Sequence, residues 1–135
     1  VVGLRCLSFD SMRDVFLHLT IVEDRWINYI IPDRLSKWVD PDFDAFKDMD
    51  SLKKYMQDVK GKTENYLNGL SLEELNHQIV FPWGDKPDTR ISIEKALTHM
   101  VLEDMIHYGE LSAALWQMGL EAPYVGFWRY KPLHP

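Results

Sequence analysis

Cysteine is nearly missing from this chain of 135 residues, because Cys6 is the only one. No disulfide can form within the chain, and a reducing, cytoplasmic compartment is the natural expectation. Long apolar runs are missing as well, since no stretch approaches the roughly 20 residues that span a bilayer. The first residues, VVGLRCLSFD, also lack the basic head and apolar run of a signal peptide. The sequence therefore predicts a cytoplasmic protein that does not enter a membrane.

Basic charge is in deficit, with 15 Lys and Arg against 21 Asp and Glu and a formal net charge of -6. Such a chain repels phosphate backbones and anionic lipid, so nucleic acids and membrane surfaces are poor candidate partners. Hydrophobic residues, by contrast, make up 46% of the chain, which is typical of a folded protein. We expect residues 1–135 to form a single domain that buries an apolar core without cross-links.

The first amphipathic helix is predicted over residues 10–31, where apolar side chains recur every three or four positions. Asp10 or Ser11 can cap its start. Pro32 ends it, because proline disfavours the helical conformation of the residue before it. A loop rich in turn-forming residues follows, up to about residue 50.

Two more helices are predicted from the same apolar spacing, over residues 50–70 and residues 93–118. Gly69 and Gly119 stand at their ends, where a glycine in the left-handed conformation commonly terminates a helix. Residues 77–91 break the helical period and place turn-forming residues between two short apolar runs, which indicates a hairpin. The sequence thus predicts an all-α, up-down helical bundle with a small β-hairpin before the last helix.

A row of polar side chains shares one face of the last helix, within a quarter turn at about 100° per residue. Its members are His99, Glu103, His107, Glu110 and Gln117. Apolar residues border the row on both sides: Leu102, Ile106 and Ala113 on one flank, and Ala96, Met100, Leu111 and Ala114 on the other. Ionisable groups inside an apolar surface are costly unless they are paired or bind a metal, so the row is a candidate site.

Helical spacing decides which members of the row can bind one ion. Glu103 and His107 are one turn apart, so their side chains can converge. His99 precedes His107 by about 12 Å along the axis and cannot easily share that ion. His18, at the edge of the apolar arc of the first helix, is the third candidate, although a hydrogen-bonded core histidine is the alternative interpretation. Two imidazoles and one carboxylate leave coordination positions open, as expected of a catalytic ion.

Other catalytic patterns fit the sequence less well. The HExxH motif of zinc metalloproteases is missing. The last helix lacks the Glu-x-x-His pair of di-iron bundles, because Ile106 stands three residues after Glu103. There is no glycine-rich phosphate loop. No serine occurs in a G-x-S-x-G context, although composition leaves a Ser-His-Asp triad open.

The remaining large aromatic and histidine residues divide between core and surface. Trp26 and Trp116 are predicted to be core residues, whereas Trp83 and Trp128 are candidate walls of a pocket. His77 and His134 lie in the hairpin and the tail, where an exposed histidine without a special role is expected.

Two segments resemble the DinB-like and YfiT-like metal-binding helical bundles. SMRDVFLHLTIVEDRW contains the pattern H-x4-E-x2-W, and THMVLEDMIHYGELSAALWQMGLEAP follows H-x3-H-x-G-[QE], except that Glu103 replaces the first histidine. The resemblance covers most of the chain, with both helices in the family's order. It implies a mononuclear divalent metal site with His18, Glu103 and His107 as ligands. A carboxylate in this set favours harder ions than three histidines do, and zinc, nickel, manganese and iron are the candidates.

The N-terminus departs from that family, whose bundles have one helix before the helix that carries His18. Few residues precede that helix here, and the chain begins with Val1 rather than Met. We therefore expect the first family helix to be missing from this chain or to be replaced by a partner. Its absence leaves one side of the bundle apolar and open, which is suited to a homodimer.

The resemblance implies a metal-dependent enzyme with thiol S-transferase-like or hydrolase-like chemistry, since the family includes bacillithiol- and mycothiol-dependent transferases. A divalent ion lowers the pKa of a bound thiol or water and holds this nucleophile beside an electrophile. His99 is then expected to support a ligand or face the substrate, and Glu110 to accept a proton or anchor a neighbouring helix. The alternative hypothesis is a non-catalytic stress-response bundle, or a dimerising interaction module, whose metal is structural or absent.

Overall fold

Three helices and one hairpin make up the regular structure in the computed structural model, which describes residues 6–123. In chain order they are α1 (Met12–Arg25), α2 (Met49–Gly69), the antiparallel strands β1 (Gln78–Val80) and β2 (Arg90–Ser92), and α3 (Ile93–Gln117). The predicted all-α fold with a hairpin before the last helix is confirmed. The predictions for Trp128 and His134 lie outside the described residues.

Ser11, and not Asp10, caps the start of α1. The Ser11 hydroxyl accepts a hydrogen bond from the backbone N–H of Asp14 at 3.1 Å and donates one to the Asp14 carboxylate at 2.7 Å. This reciprocal cap satisfies a backbone N–H that the start of a helix otherwise leaves unpaired. The carboxylate also accepts hydrogen bonds from the guanidinium of Arg13 at 2.6 and 3.0 Å.

The end of the first predicted helix differs from regular α-helix. After Arg25 the chain forms a π-helical turn, Trp26–Ile30, closed by a hydrogen bond from the N–H of Ile31 to the carbonyl of Trp26. Such turns insert one extra residue into a helix and are frequent at functional sites. Here the wider turn accompanies the burial of Trp26, Ile27 and Ile30 in one cluster.

Helix α1 lies between the other two helices and packs against both. Leu17 and Leu52, neither with any exposed surface, hold α1 against α2. Farther along, Trp26 belongs to a second cluster that includes Ile79 of β1 and Ala96 of α3. Trp26 is 1% exposed, so its predicted place in the core is confirmed. This packing fixes α1 against the face of α3 that carries the polar row.

The two predicted glycine caps have different outcomes. Gly119 has φ 75°, its N–H bonds the carbonyl of Trp116, and the N–H of Leu120 bonds that of Leu115. This is the Schellman arrangement expected for the end of α3. The prediction for Gly69 is wrong, because that residue is the last of α2 and the chain leaves through an extended Leu70. Leu70 packs against the core cluster around Trp26, so the chain direction requires no left-handed residue.

One face of α3 is apolar and exposed. Val101, Leu102, Met105, Ile106 and Trp116 lie there, each at least 50% exposed. The prediction that Trp116 is a core residue is wrong. Leu102 and Ile106, which border the polar row, lie on a side of α3 that is exposed and not buried. The reason is that no element within residues 6–123 covers this face. No described helix is long and apolar enough to cross a membrane.

Candidate metal centre

The three sequence-predicted ligands meet between α1 and α3. One potential ligand atom from each of His18, Glu103 and His107 lies within 4.8 Å of the other two. The two imidazole rings are 4.9 Å apart between centroids and meet edge to face, at 70°. Nε2 of His107 is 3.7 Å from Oε2 of Glu103, one helical turn earlier. Within residues 6–123, no other group of three such side chains converges in this way.

A hydrogen-bonded pair holds the His107 ring in place. Its Nδ1 atom lies 3.0 Å from Oε2 of Glu110. The residue is buried, with 7% of its surface exposed. The Ser8 hydroxyl donates a hydrogen bond to the other oxygen of Glu110. Burial acts to raise the pKa of Glu110, but hydrogen bonds from Ser8 and His107 outweigh it, so the pKa is lowered. An ionised Glu110 that accepts the Nδ1 proton leaves the Nε2 lone pair facing Glu103 and His18.

His18 is available as a neutral ligand. Burial lowers the pKa of His18, the neighbouring His107 lowers it further, and Glu103 opposes the shift. At neutral pH the imidazole is therefore unprotonated and keeps a lone pair for a metal. The ring of Phe9 lies 4.6 Å from that of His18 and 6.1 Å from that of His107, so it forms an apolar wall beside both ligands.

A cavity of about 530 Å³ opens beside the three ligands, with His18 and Glu103 in its wall. The other residues around it are Ile21, Val22, Arg25, Trp26, Asp40, Phe43, Phe81, Trp83 and His99. Trp83 is thus a wall of a pocket, as predicted. His99 stays outside the ligand group, packs edge-on against Trp26 at 5.6 Å between ring centroids, and faces the cavity. Gln117, the last member of the polar row, is exposed.

Several residues of the site gave no recognisable pattern in the sequence. Ser8 and Phe9 precede the first helix, where neither helical spacing nor a motif singles them out. Arg25 stands two helical turns after His18, on the same face of α1, and this spacing is the one signal that could have found it. Ser8 and Phe9 approach the ligand group only because the tertiary structure brings them beside α3.

The donor set fits a divalent transition metal. Four ligands placed tetrahedrally at about 2.1 Å from an ion lie about 3.4 Å apart, so side-chain movements of about an ångström would close this group around one. Two imidazole nitrogens and a carboxylate oxygen suit zinc as well as manganese, iron and nickel. With three protein ligands, at least one position is left for a small molecule, which the adjoining cavity can hold.

Comparison with protein families agrees with this geometry. The family model for the DinB superfamily matches residues 8–111, a span that contains all three candidate ligands as well as Ser8, Phe9 and Glu110. A comparison with curated proteins finds no significant match, and neither does one with solved structures. Since the family model covers well over half of the sequence, the chain belongs to the DinB superfamily.

Proposed function

We propose that this protein is a metal-dependent enzyme that acts on a small molecule, with one divalent ion held by His18, Glu103 and His107. The observation that carries the proposal is the convergence of two imidazoles and a carboxylate at the wall of a cavity. A structural metal site is usually closed by four protein ligands, whereas a catalytic site keeps a position open.

The reaction we favour is transfer to a low-molecular-weight thiol rather than hydrolysis. A divalent ion at this position would supply Lewis acidity, which lowers the pKa of a thiol or water molecule that coordinates it. The cavity walls suit an organic thiol and its electrophile, because Phe81 and Trp83 offer aromatic surface there. Glu110 orients His107, and Phe9 limits the access of water to both imidazoles. His99 faces the cavity, where it can exchange a proton with a bound molecule.

Metal analysis tests the ligand set. We expect protein produced without a histidine tag to bind about one zinc, nickel or manganese ion per chain and to melt at a higher temperature with it. His107→Ala abolishes both effects, whereas His77→Ala, at an exposed histidine, leaves them unchanged. Absence of stoichiometric metal and of any metal-dependent thermal shift in the unaltered protein contradicts the proposal.

Activity is tested by following the loss of free thiol when small thiols are mixed with electrophiles. The expected reaction requires the metal and disappears in His107→Ala but not in His77→Ala. Cobalt can replace the natural ion as a spectroscopic probe, and its absorption changes when a thiol enters an open position. A cobalt spectrum that no thiol alters, together with loss of metal in His99→Ala, indicates a closed structural site and overturns the enzyme hypothesis.

A further inference from the structure

Arg25 is a cationic side chain in the wall of the cavity. Within residues 6–123, no ion pair joins it to an aspartate or glutamate. Its Nε atom is buried and has no hydrogen-bond partner. Because Nε has almost no accessible surface, a ligand in the cavity would bind Arg25 through its two terminal Nη atoms.

Two tryptophan rings lie beside the guanidinium group of Arg25. Its central carbon lies 4.9 Å from the ring centroid of Trp83 and 5.9 Å from that of Trp38. Both distances are within the range of cation–π attraction. Cation–π contact leaves the terminal N–H groups of a guanidinium free to form hydrogen bonds, and these two groups match the two oxygens of a carboxylate.

Asp40 is an acidic residue of the cavity wall, where it could form an ion pair with Arg25 in place of a ligand. Its Oδ1 atom instead accepts a hydrogen bond from the indole N–H of Trp38 at 2.7 Å. The Asp40 carboxylate therefore positions one of the two rings beside the guanidinium and does not form an ion pair with it. Glu103, the other acid in the wall, belongs to the candidate ligand group.

The position of Arg25 on α1 sets the size of a ligand that could reach both ends of the cavity. Arg25 follows His18 by two helical turns, roughly 10 Å along the axis. The tilt of helical side chains toward the N-terminus applies to both residues, so the separation stays near this value. A chain of about six atoms between an anionic group and a reacting atom fits this separation.

We infer that Arg25 binds a carboxylate of the substrate, with the apolar body of that molecule along Phe81 and Trp83 and its reacting end at His18 and Glu103. The inference rests on the proposed function for the identity of the reacting end. The carboxylate contact itself requires no metal, and it can be tested without one. The substrate class is therefore an organic acid of moderate length, not a neutral molecule.

A matched pair of probes tests this contact. The full chain is titrated with 4-phenylbutyrate and with its neutral counterpart 4-phenylbutanamide by calorimetry, before and after zinc is added. We expect the metal-free protein to bind the acid at least about tenfold more tightly than the amide, as a charge-assisted bidentate contact would give. Arg25→Gln removes this preference, and Arg25→Lys retains part of it. Arg34→Gln, at an exposed arginine outside the cavity, leaves it unchanged.

Equal affinity for the acid and the amide overturns the inference, as does failure to bind either probe at millimolar concentration. A preference for the acid that persists in Arg25→Gln also overturns it, because another group then binds the carboxylate. If Arg25→Gln does not fold, judged by circular dichroism, the Arg25→Lys comparison and the acid-to-amide ratio of the unaltered protein decide the question. Failure of zinc to bind, with the acid preference intact in the metal-free protein, counts against the proposed function alone.

Discussion

The Nδ1 atom of His107 lies 3.0 Å from Oε2 of Glu110, three residues later on α3. This contact turns the other ring nitrogen toward Glu103 and His18, so the orientation of the candidate ligand is fixed before any ion binds. Carboxylates that hold a metal-ligating histidine in this way affect metal affinity although they do not touch the metal.

Removing this support weakens metal binding. We expect Glu110→Gln to lower zinc affinity by about tenfold and Glu110→Ala by up to about 100-fold, because the ring loses its fixed orientation and its charged acceptor. Competition with a chromophoric chelator measures both values. Glu121→Gln, at an exposed carboxylate after α3, is the control and keeps the original affinity. Unchanged affinity in both Glu110 variants shows that the contact does not orient the ligand.

The contact between α1 and α2 depends on Leu17, which has no exposed surface. Leu17→Ala leaves a cavity and lowers the free energy of unfolding by about 2–5 kcal/mol. Leu72→Ala removes the same atoms from a residue that is 84% exposed, and its effect stays below about 0.5 kcal/mol. Urea denaturation followed by circular dichroism compares the two. Similar stabilities for the two variants contradict this description of the core.

The cap of α1 makes stability depend on pH. The hydrogen bond from Ser11 is the main cause that lowers the pKa of Asp14 from 3.8; burial opposes it and Arg13 supports it. The ionised form therefore stabilises the folded state, fully above the unfolded value and progressively less as pH falls through the lower folded pKa. Asp14→Asn destabilises the protein by about 1 kcal/mol at pH 7, and the difference shrinks as the pH falls below about 4.

Thermal melts at several pH values measure this effect. Asp85→Asn, at an exposed aspartate of the hairpin loop, is the control and melts like the unaltered protein at each pH. If Asp14→Asn destabilises the protein equally at pH 7 and at the lowest pH measured, the hydrogen-bond geometry, and not the charge, stabilises the cap.

The exposed apolar face of α3 predicts a homodimer. Trp116, at 67% exposure, lies on this face beyond the candidate ligands. We expect the protein to sediment as a dimer at tens of micromolar and Trp116→Glu to be monomeric with unchanged metal content, because a charge cannot be buried in an apolar contact. Leu72→Glu adds the same charge to an exposed leucine elsewhere and stays dimeric. A monomeric unaltered protein at these concentrations contradicts the prediction.

Local sequence patterns predicted correctly those features that depend on a single helix or turn. The apolar spacing predicted all three helices, and turn-forming residues predicted the hairpin. The four-residue separation of Glu103 and His107 placed them on one face whatever surrounds the helix. Gly119 ends α3 as expected because the left-handed position belongs to the helix end itself.

Sequence patterns gave wrong predictions where contacts with another part of the chain determine the structure. Trp116 is a large aromatic residue at a helical spacing that is typical of the core. Burial also requires an opposing surface, however, and none covers it within residues 6–123. Gly69 stands at a helix end, yet the direction in which the chain leaves α2 is set by the packing of Leu70. The π-helical turn after Arg25 coincides with the burial of Trp26, Ile27 and Ile30 in one cluster, and helical periodicity does not signal it.

By itself, the sequence determined which side chains can bind a metal, because residue type and helical spacing fix the donor atoms and the face that carries them. Only the tertiary structure decided that His18 joins Glu103 and His107, that Ser8 and Glu110 hold the ring, and that Arg25 enters the same cavity. These contacts join residues far apart in the chain. The distances between these side chains depend on how α1 packs against α3. That packing is made by buried side chains from distant parts of the chain, and a local sequence pattern cannot predict it.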